Sequence, residues 1–395
     1  MDKDGSAQQI DFLWFFPTNG DVRFFGNADG ARKVDNRYLR EMAVGLDRLG
    51  YFGALLPTGN FCEDSLVVAS SLATHTERMR FLIALRPGSV VPAEAARQSA
   101  SLDRLSKGRL LLNVVSGGVA GDMEADGNFL SHDERYIQSA EFLDIWRRMM
   151  RGEVVTSTGK HYSCKNAQLM YPSVQRPYPP LYIGGASPAG RDLAVNQCDV
   201  YLTWGEPPAM VAETIADVRR RAAAVGREMR FGIRLHFIVR DTDEEAWSAA
   251  ERLIEKVPDH VIEAAQKKLR QTDAEGQKRL LALHGGDKKR LEISPNLWAG
   301  VGLVRAGAAT TLVGSPQTVA ARIREYMSLG IDSIIGSGYP HMEESYRVAE
   351  MLFPLLPIRK PSSVAENELP ESFATAGTIG LRLPEQAPVP TAKAS

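Results

Sequence analysis

The chain predicts an α/β fold, a (β/α)8 TIM barrel with insertions. Three observations carry that reading. Strand-like and helix-like runs alternate almost throughout its 395 residues, the mark of consecutive βα units. Eight strand candidates can be counted, the number that closes such a barrel. Several are continuous apolar runs, as strands become when both faces are covered. A doubly wound sheet is the alternative arrangement of the same elements.

In order, the strands fall at Asp11–Phe16, Phe52–Leu56, Arg80–Leu85, Arg109–Val115, Leu181–Gly184, Asp199–Thr203, Arg230–Val239 and Ser333–Gly336. Amphipathic stretches of helical length separate them, among them Tyr38–Leu49, Ala93–Leu105, Glu134–Arg151, Met210–Val225, Glu244–Lys256 and Gln317–Leu329. Two stretches exceed a minimal barrel. Residues 152–180 are rich in Gly, Pro and Tyr and long enough for an inserted hairpin. Residues 257–315 hold one or two helices and then the charged loop His284-Gly-Gly-Asp-Lys-Lys-Arg290. An insertion of that length at the catalytic end of a barrel is often a mobile lid. The expected organisation is an N-terminal extension over 1–9, the barrel over 10–357 and a flexible tail over 358–395, rich in Pro, Ala and Glu.

Composition narrows the class. Hydrophobic content of 44% and charged content of 24% fit an ordinary soluble globule. A net charge of −1 gives no field that favours nucleic acid or an anionic membrane. Three cysteines do not make a disulfide framework, and no Cys/His cluster suggests a metal. With no apolar leader and no run of spanning length, the expectation is a cytoplasmic protein.

The most informative pair is Arg234 and His236 in Phe231-Gly-Ile-Arg-Leu-His-Phe-Ile-Val239. Side chains alternate along a strand, so these two share a face opposite a row of apolar residues. A cation and an imidazole turned together into an interior call for an anion or a proton-transfer role. The plainer readings are a solvent-facing edge or a structural carboxylate partner for the arginine. Other strand ends also carry polar groups. Gly184-Gly-Ala-Ser187 ahead of a helix can bind phosphate or can simply be turn geometry. Cys62 is a packed thiol or a reactive one, and Trp204 a rim aromatic or a pocket wall. His132 and Tyr136 sit four apart at a helix start, where capping competes with a cofactor contact. Tyr339 and His341 follow the last strand, as turn residues or as part of a site.

Longer strings decide more than spacing. Leu202-Thr-Trp-Gly-Glu-Pro-Pro208, Phe231-Gly-Ile-Arg-Leu-His236, Leu291 to Arg305 (with Ser294-Pro-Asn-Leu-Trp298 inside it) and Ser337-Gly-Tyr-Pro-His341 resemble the FMNH2-dependent alkanesulfonate monooxygenases, within the bacterial-luciferase-like flavin barrels. The resemblance covers roughly residues 10–357. It implies a two-component system in which a separate NAD(P)H-dependent FMN reductase supplies reduced FMN. With O2, the enzyme then cleaves a C–S bond to give an aldehyde and sulfite. It also implies that Arg234, His236, Trp204, Tyr339 and His341 hold the sulfonate, that Arg305 lies on the closing segment, and that Cys62 lies near the flavin. Gly185, Ala186, Ser187 and Tyr136 are the candidates for the flavin phosphate, with His132 beside them and Ser116 for the ring or ribityl chain. A homodimer or homotetramer is the family expectation.

The chain departs from the family at the ends of the first, second and fourth strands. Asn19 stands where His is usual, Asn60-Phe61 where Arg-Ser is usual, and Leu66 near a usual Trp; Ser116-Gly-Gly-Val-Ala-Gly-Asp122 replaces a stretch richer in Asp and Pro. The sulfonate-holding positions stay. Asn19 and Phe61 are therefore the expected selectivity residues, and a sulfonated sugar such as sulfoquinovose is the expected substrate, because an amide both donates and accepts hydrogen bonds. A simple alkanesulfonate is the main rival. From other classes come a deazaflavin-dependent dehydrogenase and a non-catalytic flavin-binding protein.

Overall fold

The computed structural model describes residues 8–117, 120–272 and 274–362; most of the tail expected to be flexible lies outside them. The strands are β1 (Asp11–Phe15), β2 (Gly53–Leu56), β3 (Arg80–Leu85), β4 (Leu110–Val114), β5 (Val155–Thr158), β6 (Ser163–Ala167), β7 (Leu181–Gly184), β8 (Val200–Trp204), β9 (Arg230–Val239), β10 (Glu292–Ser294), β11 (Leu297–Trp298), β12 (Thr311–Gly314) and β13 (Ile331–Ser337). The helices are α1 (Asn36–Leu49), α2 (Ser65–Ala73), α3 (Pro92–Leu105), α4 (Ala120–Ala125), α5 (His132–Met150), α6 (Pro188–Gln197), α7 (Pro208–Ala224), α8 (Asp243–Ile254), α9 (Asp259–Leu269), α10 (Glu275–His284), α11 (Pro316–Ser328) and α12 (His341–Leu352).

Eight parallel strands close in the order β9-β13-β1-β2-β3-β4-β7-β8 and back to β9. They are the eight expected from the sequence, with ends moved by a residue or two. Leu13, Phe15, Leu55, Leu82, Leu111, Tyr182, Val200, Leu202 and Ile335 form one inward-facing cluster. The alternate residues pack outward against the helices in a second, larger core. A fully covered parallel sheet takes this form, and it explains the unbroken apolar runs. Local chemistry sets the helix ends. Asp35 caps α1, and Gly50, with φ of +85°, ends it. Ser187 caps α6 and Ser315 caps α11, and both helices carry Pro in the first turn.

The two expected insertions resolve differently. Within 152–180, β5 and β6 form an antiparallel hairpin docked on α5, where the Glu141 carboxylate accepts from the backbone N–H groups of Lys160, His161 and Tyr162. Within 257–315 lie α9, α10, the β10–β11 hairpin, a 3-10 turn at Gly300–Leu303 and β12. The reading from sequence missed β12. It pairs in parallel with His236–Val239, the part of β9 beyond its contact with β8. Four residues flanked by Ala and Thr give too short an apolar run to stand out. Ile238, Leu253, Ile262, Leu291, Trp298, Val301 and Leu303 pack the insertion into a core of its own. No described helix is long and apolar enough to cross a membrane.

Candidate functional site at the barrel mouth

Arg234 and His236 face the barrel interior at the C-terminal end of β9, as their spacing requires. Phe15, the last residue of β1, forms the floor beneath them. The Arg234 guanidinium lies 4.4 Å from the Phe15 ring centre and that of Arg305 lies 5.2 Å from it. Arg305 arrives from the insertion, just after the 3-10 turn. Its Nη1 is 3.3 Å from His236 Nε2, and its guanidinium lies 5.7 Å from the Tyr339 ring centre. Tyr339 stacks on His236 at 5.6 Å with an 11° tilt and meets His341 edge-on at 4.8 Å. His341 in turn packs on Phe15 at 5.5 Å. Two arginines, two histidines and a tyrosine thus converge from β9, the insertion and the β13–α12 junction.

The cluster concentrates positive charge away from water. Arg234 Nε has no partner among the described residues. Desolvation, and then the neighbouring Arg305 charge, push its pKa down to about 9. Burial and the same two arginines hold His236 and His341 well below the ordinary imidazole value. His236 Nε2 lies 3.0 Å from the Ala308 carbonyl. A carbonyl can only accept, so Nε2 carries the proton and the Arg305 contact is not a hydrogen bond. His236 Nδ1 is left with a lone pair and no partner, and His341 Nδ1 also lacks one among the described residues. Cationic groups held together against these penalties gain most when a negative charge joins them.

Cys62 sits within reach of this cluster. Burial raises its thiol pKa; the Thr18 hydroxyl and then Arg305, Arg86 and Arg234 oppose that rise. Of the two readings of Cys62, a raised thiol pKa favours the packed thiol over the reactive one. Trp204 ends β8 in register with Arg234, and its other neighbour is α10. A Cβ on Gly276 would stand 3.2 Å from the Trp204 ring, so glycine permits that close approach. Next to it, Glu206 takes both a 2.6 Å and a 2.7 Å hydrogen bond from Arg279 of α10. Gln277 of the same helix accepts from the Gly307 N–H, and Gln266 of α9 donates to the Gly302 and Leu303 carbonyls. The Arg305 segment is therefore held by the insertion helices, and they by the rim of β8.

A second cluster lies at the ends of β4 and β7. Ser187 Oγ accepts from the Gly190 N–H and caps α6. The Tyr136 hydroxyl reaches this helix end so closely that a Cβ on Gly185 or Gly190 would stand 3.3 or 3.2 Å from it. Tyr201 donates to the Gly185 carbonyl and fixes the turn. Ala186 completes the Gly185–Ser187 turn. His132 packs 5.1 Å from Tyr136, with Nδ1 on Asp133; the cap of α5 is Ser131, not His132. Ser116 is buried, its Oγ unpartnered among the described residues, and so is Asn113 Oδ1 on the inward face of β4. Asn19 and Phe61 stand exposed, Phe61 at 61%. The structure gathers Arg234, His236, Arg305, Tyr339 and His341 into one cluster and Tyr136, Gly185 and Ser187 into another. The reading from sequence did not single out Phe15, Asp21, Arg86, Asn113 or the Glu206–Arg279 pair. Arg86 directly follows β3 and Asp21 lies in the loop after β1, where polar residues of a barrel gather; nothing in the sequence marks Phe15.

The model of the luciferase-like monooxygenase family matches residues 10–333. The chain belongs to that family. Solved structures agree on the fold. A riboflavin lyase (RcaE), crystallised with modified FMN and riboflavin, is 20% identical with a TM-score of 0.75, over 90% of this chain and 94% of that one. EDTA monooxygenase (EmoA) from Chelativorans sp. BNC1 is 16% identical with a TM-score of 0.69, over 88% and 93%. The coenzyme F420-dependent tetrahydromethanopterin reductase from Methanopyrus kandleri is 17% identical with a TM-score of 0.63, over 88% and 99%. Identities this low speak for the shared barrel alone. The family assignment makes the protein a flavin-dependent monooxygenase by class.

The residues present fit an FMN. A helix N-terminus supplies backbone N–H groups and positive dipole for a phosphate, and the glycines at Gly185 and Gly190 keep that end open to the Tyr136 hydroxyl. Ser116 and Asn113 offer unpartnered polar atoms further into the mouth.

Proposed function

We propose that this protein is the oxygenase component of a two-component organosulfonate monooxygenase. One observation carries the reading: Arg234, Arg305, His236 and His341 converge at the mouth, and no carboxylate among the described residues pairs with Arg234. A sulfonate brings a permanent negative charge and three acceptor oxygens. Arg234 Nε, the Arg305 guanidinium and the Tyr339 hydroxyl are the donors that replace its water. The overall change balances as organosulfonate anion, O2 and FMNH2 giving aldehyde, bisulfite, FMN and water. Bound reduced FMN would supply the two electrons that activate O2, with Gly185, Ala186, Ser187 and Tyr136 on its phosphate and Ser116, Asn113 and Cys62 nearer the ring. A separate NAD(P)H-dependent FMN reductase would deliver it. Arg234 orients the sulfonate, Phe15 and Tyr339 wall the leaving group, and His236 Nδ1 presents an unprotonated lone pair at neutral pH, an acceptor for a donor on the substrate. The insertion that carries Arg305 keeps water from the reacting atoms.

Within this class the substrate we propose is a sulfonated sugar such as sulfoquinovose. The Ser337 hydroxyl, unpartnered among the described residues, and Asn19 at the rim would supply groups for sugar hydroxyls. The test is sulfite release under air with FMNH2 from any flavin reductase, offered methanesulfonate, octanesulfonate, taurine and sulfoquinovose. Sulfite from sulfoquinovose alone is expected. Sulfite from the alkyl compounds instead would keep the reaction and remove the sugar. No sulfite from any, with hydride transfer from a reduced deazaflavin, would remove the reaction.

A further inference from the structure

We propose that Asp21, in the loop after β1, is a positioning residue for the anion wall. It caps α12 from outside that helix, and so fixes Tyr339 and His341. The inference rests on the anion-pocket reading above and adds a residue to it. Helix α12 begins at His341, and its N-cap residue is Pro340, which makes no side-chain cap. Asp21 fills that role from far away in sequence. Its Oδ1 accepts the His341 backbone N–H at 2.8 Å, putting a carboxylate on the positive end of the helix. Its Oδ2 accepts from the Tyr38 hydroxyl at 2.8 Å and from Arg32 Nη1 at 3.1 Å.

The carboxylate is wholly buried, a placement that needs such a set of donors. The loop is itself pinned to the same helix end. Backbone bonds join Asp21 and Arg32 in both directions, and Arg32 also pairs with Glu343 in the first turn of α12, with Nη1 2.7 Å from Oε2. Phe25, between them in the loop, lies edge-on to Tyr339 at 4.7 Å. General docking of α12 has other means, since Arg240, just past the end of β9, donates to both Glu344 carboxylate oxygens. The Asp21 bond is specific to the residue that carries the imidazole.

The experiment is calorimetric titration of the full-length protein with inorganic sulfate, alongside FMN binding. Wild type should bind sulfate. Asp21→Ala should bind it about tenfold or more weakly, the range seen when supporting hydrogen bonds to a site are removed. Asp21→Asn should stay within about threefold, because its amide oxygen can still accept the His341 N–H. FMN affinity should be unchanged in both, since the proposed phosphate contacts lie across the mouth. Should Asp21→Ala fail to fold, Arg32→Met carries the test; it leaves the cap in place but frees the loop, and about threefold weaker sulfate binding is expected. Sulfate affinity equal to wild type in the variant tested would overturn the role of Asp21, as would parallel loss of sulfate and FMN binding. A wild type that ignores sulfate would remove the anion-pocket reading itself.

Discussion

Arg230 and Arg234 lie four residues apart on the same face of β9, yet they live in opposite surroundings. At the closed end of the barrel, Arg230 meets Asp332 through Nε at 2.8 Å and Asp11 through Nη2 at 2.7 Å. Burial alone would lower its pKa, but these carboxylates turn the shift upward. At the open end, Arg234 has Arg305 for a neighbour, and burial and that charge both push it down, to about 9. The first arginine is a finished ion pair; the second is half of one. A paired cation is part of the fold, and an unpaired one in a low-dielectric cleft is the feature on which the proposed anion pocket rests.

The largest expected effect separates the two directly. Arg234→Met should weaken sulfonate binding by more than about 100-fold, as loss of a charge-assisted partner implies. It should leave thermal stability unchanged or raised, because an uncompensated charge is removed. Arg230→Met should do the reverse, lowering the melting temperature by roughly 2–6 °C with sulfonate affinity within about threefold. Melting curves and equilibrium titrations on the two variants check both halves.

Titration with pH sharpens the contrast. The charged form of Arg234 binds the anion, and its lowered pKa puts the loss of that charge within reach. Sulfonate affinity of the free enzyme should therefore be flat near neutrality and fall as pH rises through about 9. On the acid side, His236 and His341, held well below 6.5, should gain protons late and tighten binding as pH drops. In Arg234→Met the alkaline fall should vanish. A fall near 9 that persists in that variant would assign it to another group.

The insertion gives a smaller effect of a different kind. Arg305→Met should weaken sulfonate binding about tenfold and divert turnover from sulfite to H2O2. Arg279→Met, which cuts the bond to Glu206, should shift the same product ratio by about threefold through looser seating of α10. Paired assays of sulfite and H2O2 check both. Smallest of all, Asn19→His should lower sulfoquinovose turnover by a fewfold without abolishing it; unchanged sulfoquinovose turnover would remove Asn19 as a selectivity residue.

How far the sequence reveals this arrangement depends on how regular the backbone is. The strict alternation of β9 puts Arg234 and His236 on one face, and the strand ends of a barrel are where polar residues gather, so that half of the site was legible. Arg305 was placed by resemblance alone, because it follows a 3-10 turn whose position depends on contacts with α9 and α10. Strand β12 went unseen because it is four residues long and stabilised by pairing with distant His236–Val239. Asp21 and Phe15 escaped for the same reason: the contacts that tie them to the site, with His341 and Arg234, span more than 200 residues, and no local pattern records them.

The most direct test of the account is an anaerobic titration of the enzyme–FMNH2 complex with sulfoquinovose and with octanesulfonate, on wild type, Arg230→Met and Arg234→Met side by side. The account predicts saturable binding of at least one sulfonate to wild type and Arg230→Met, and its loss in Arg234→Met. Equal binding by wild type and Arg234→Met would contradict it, and would move the anion away from the mouth of β9.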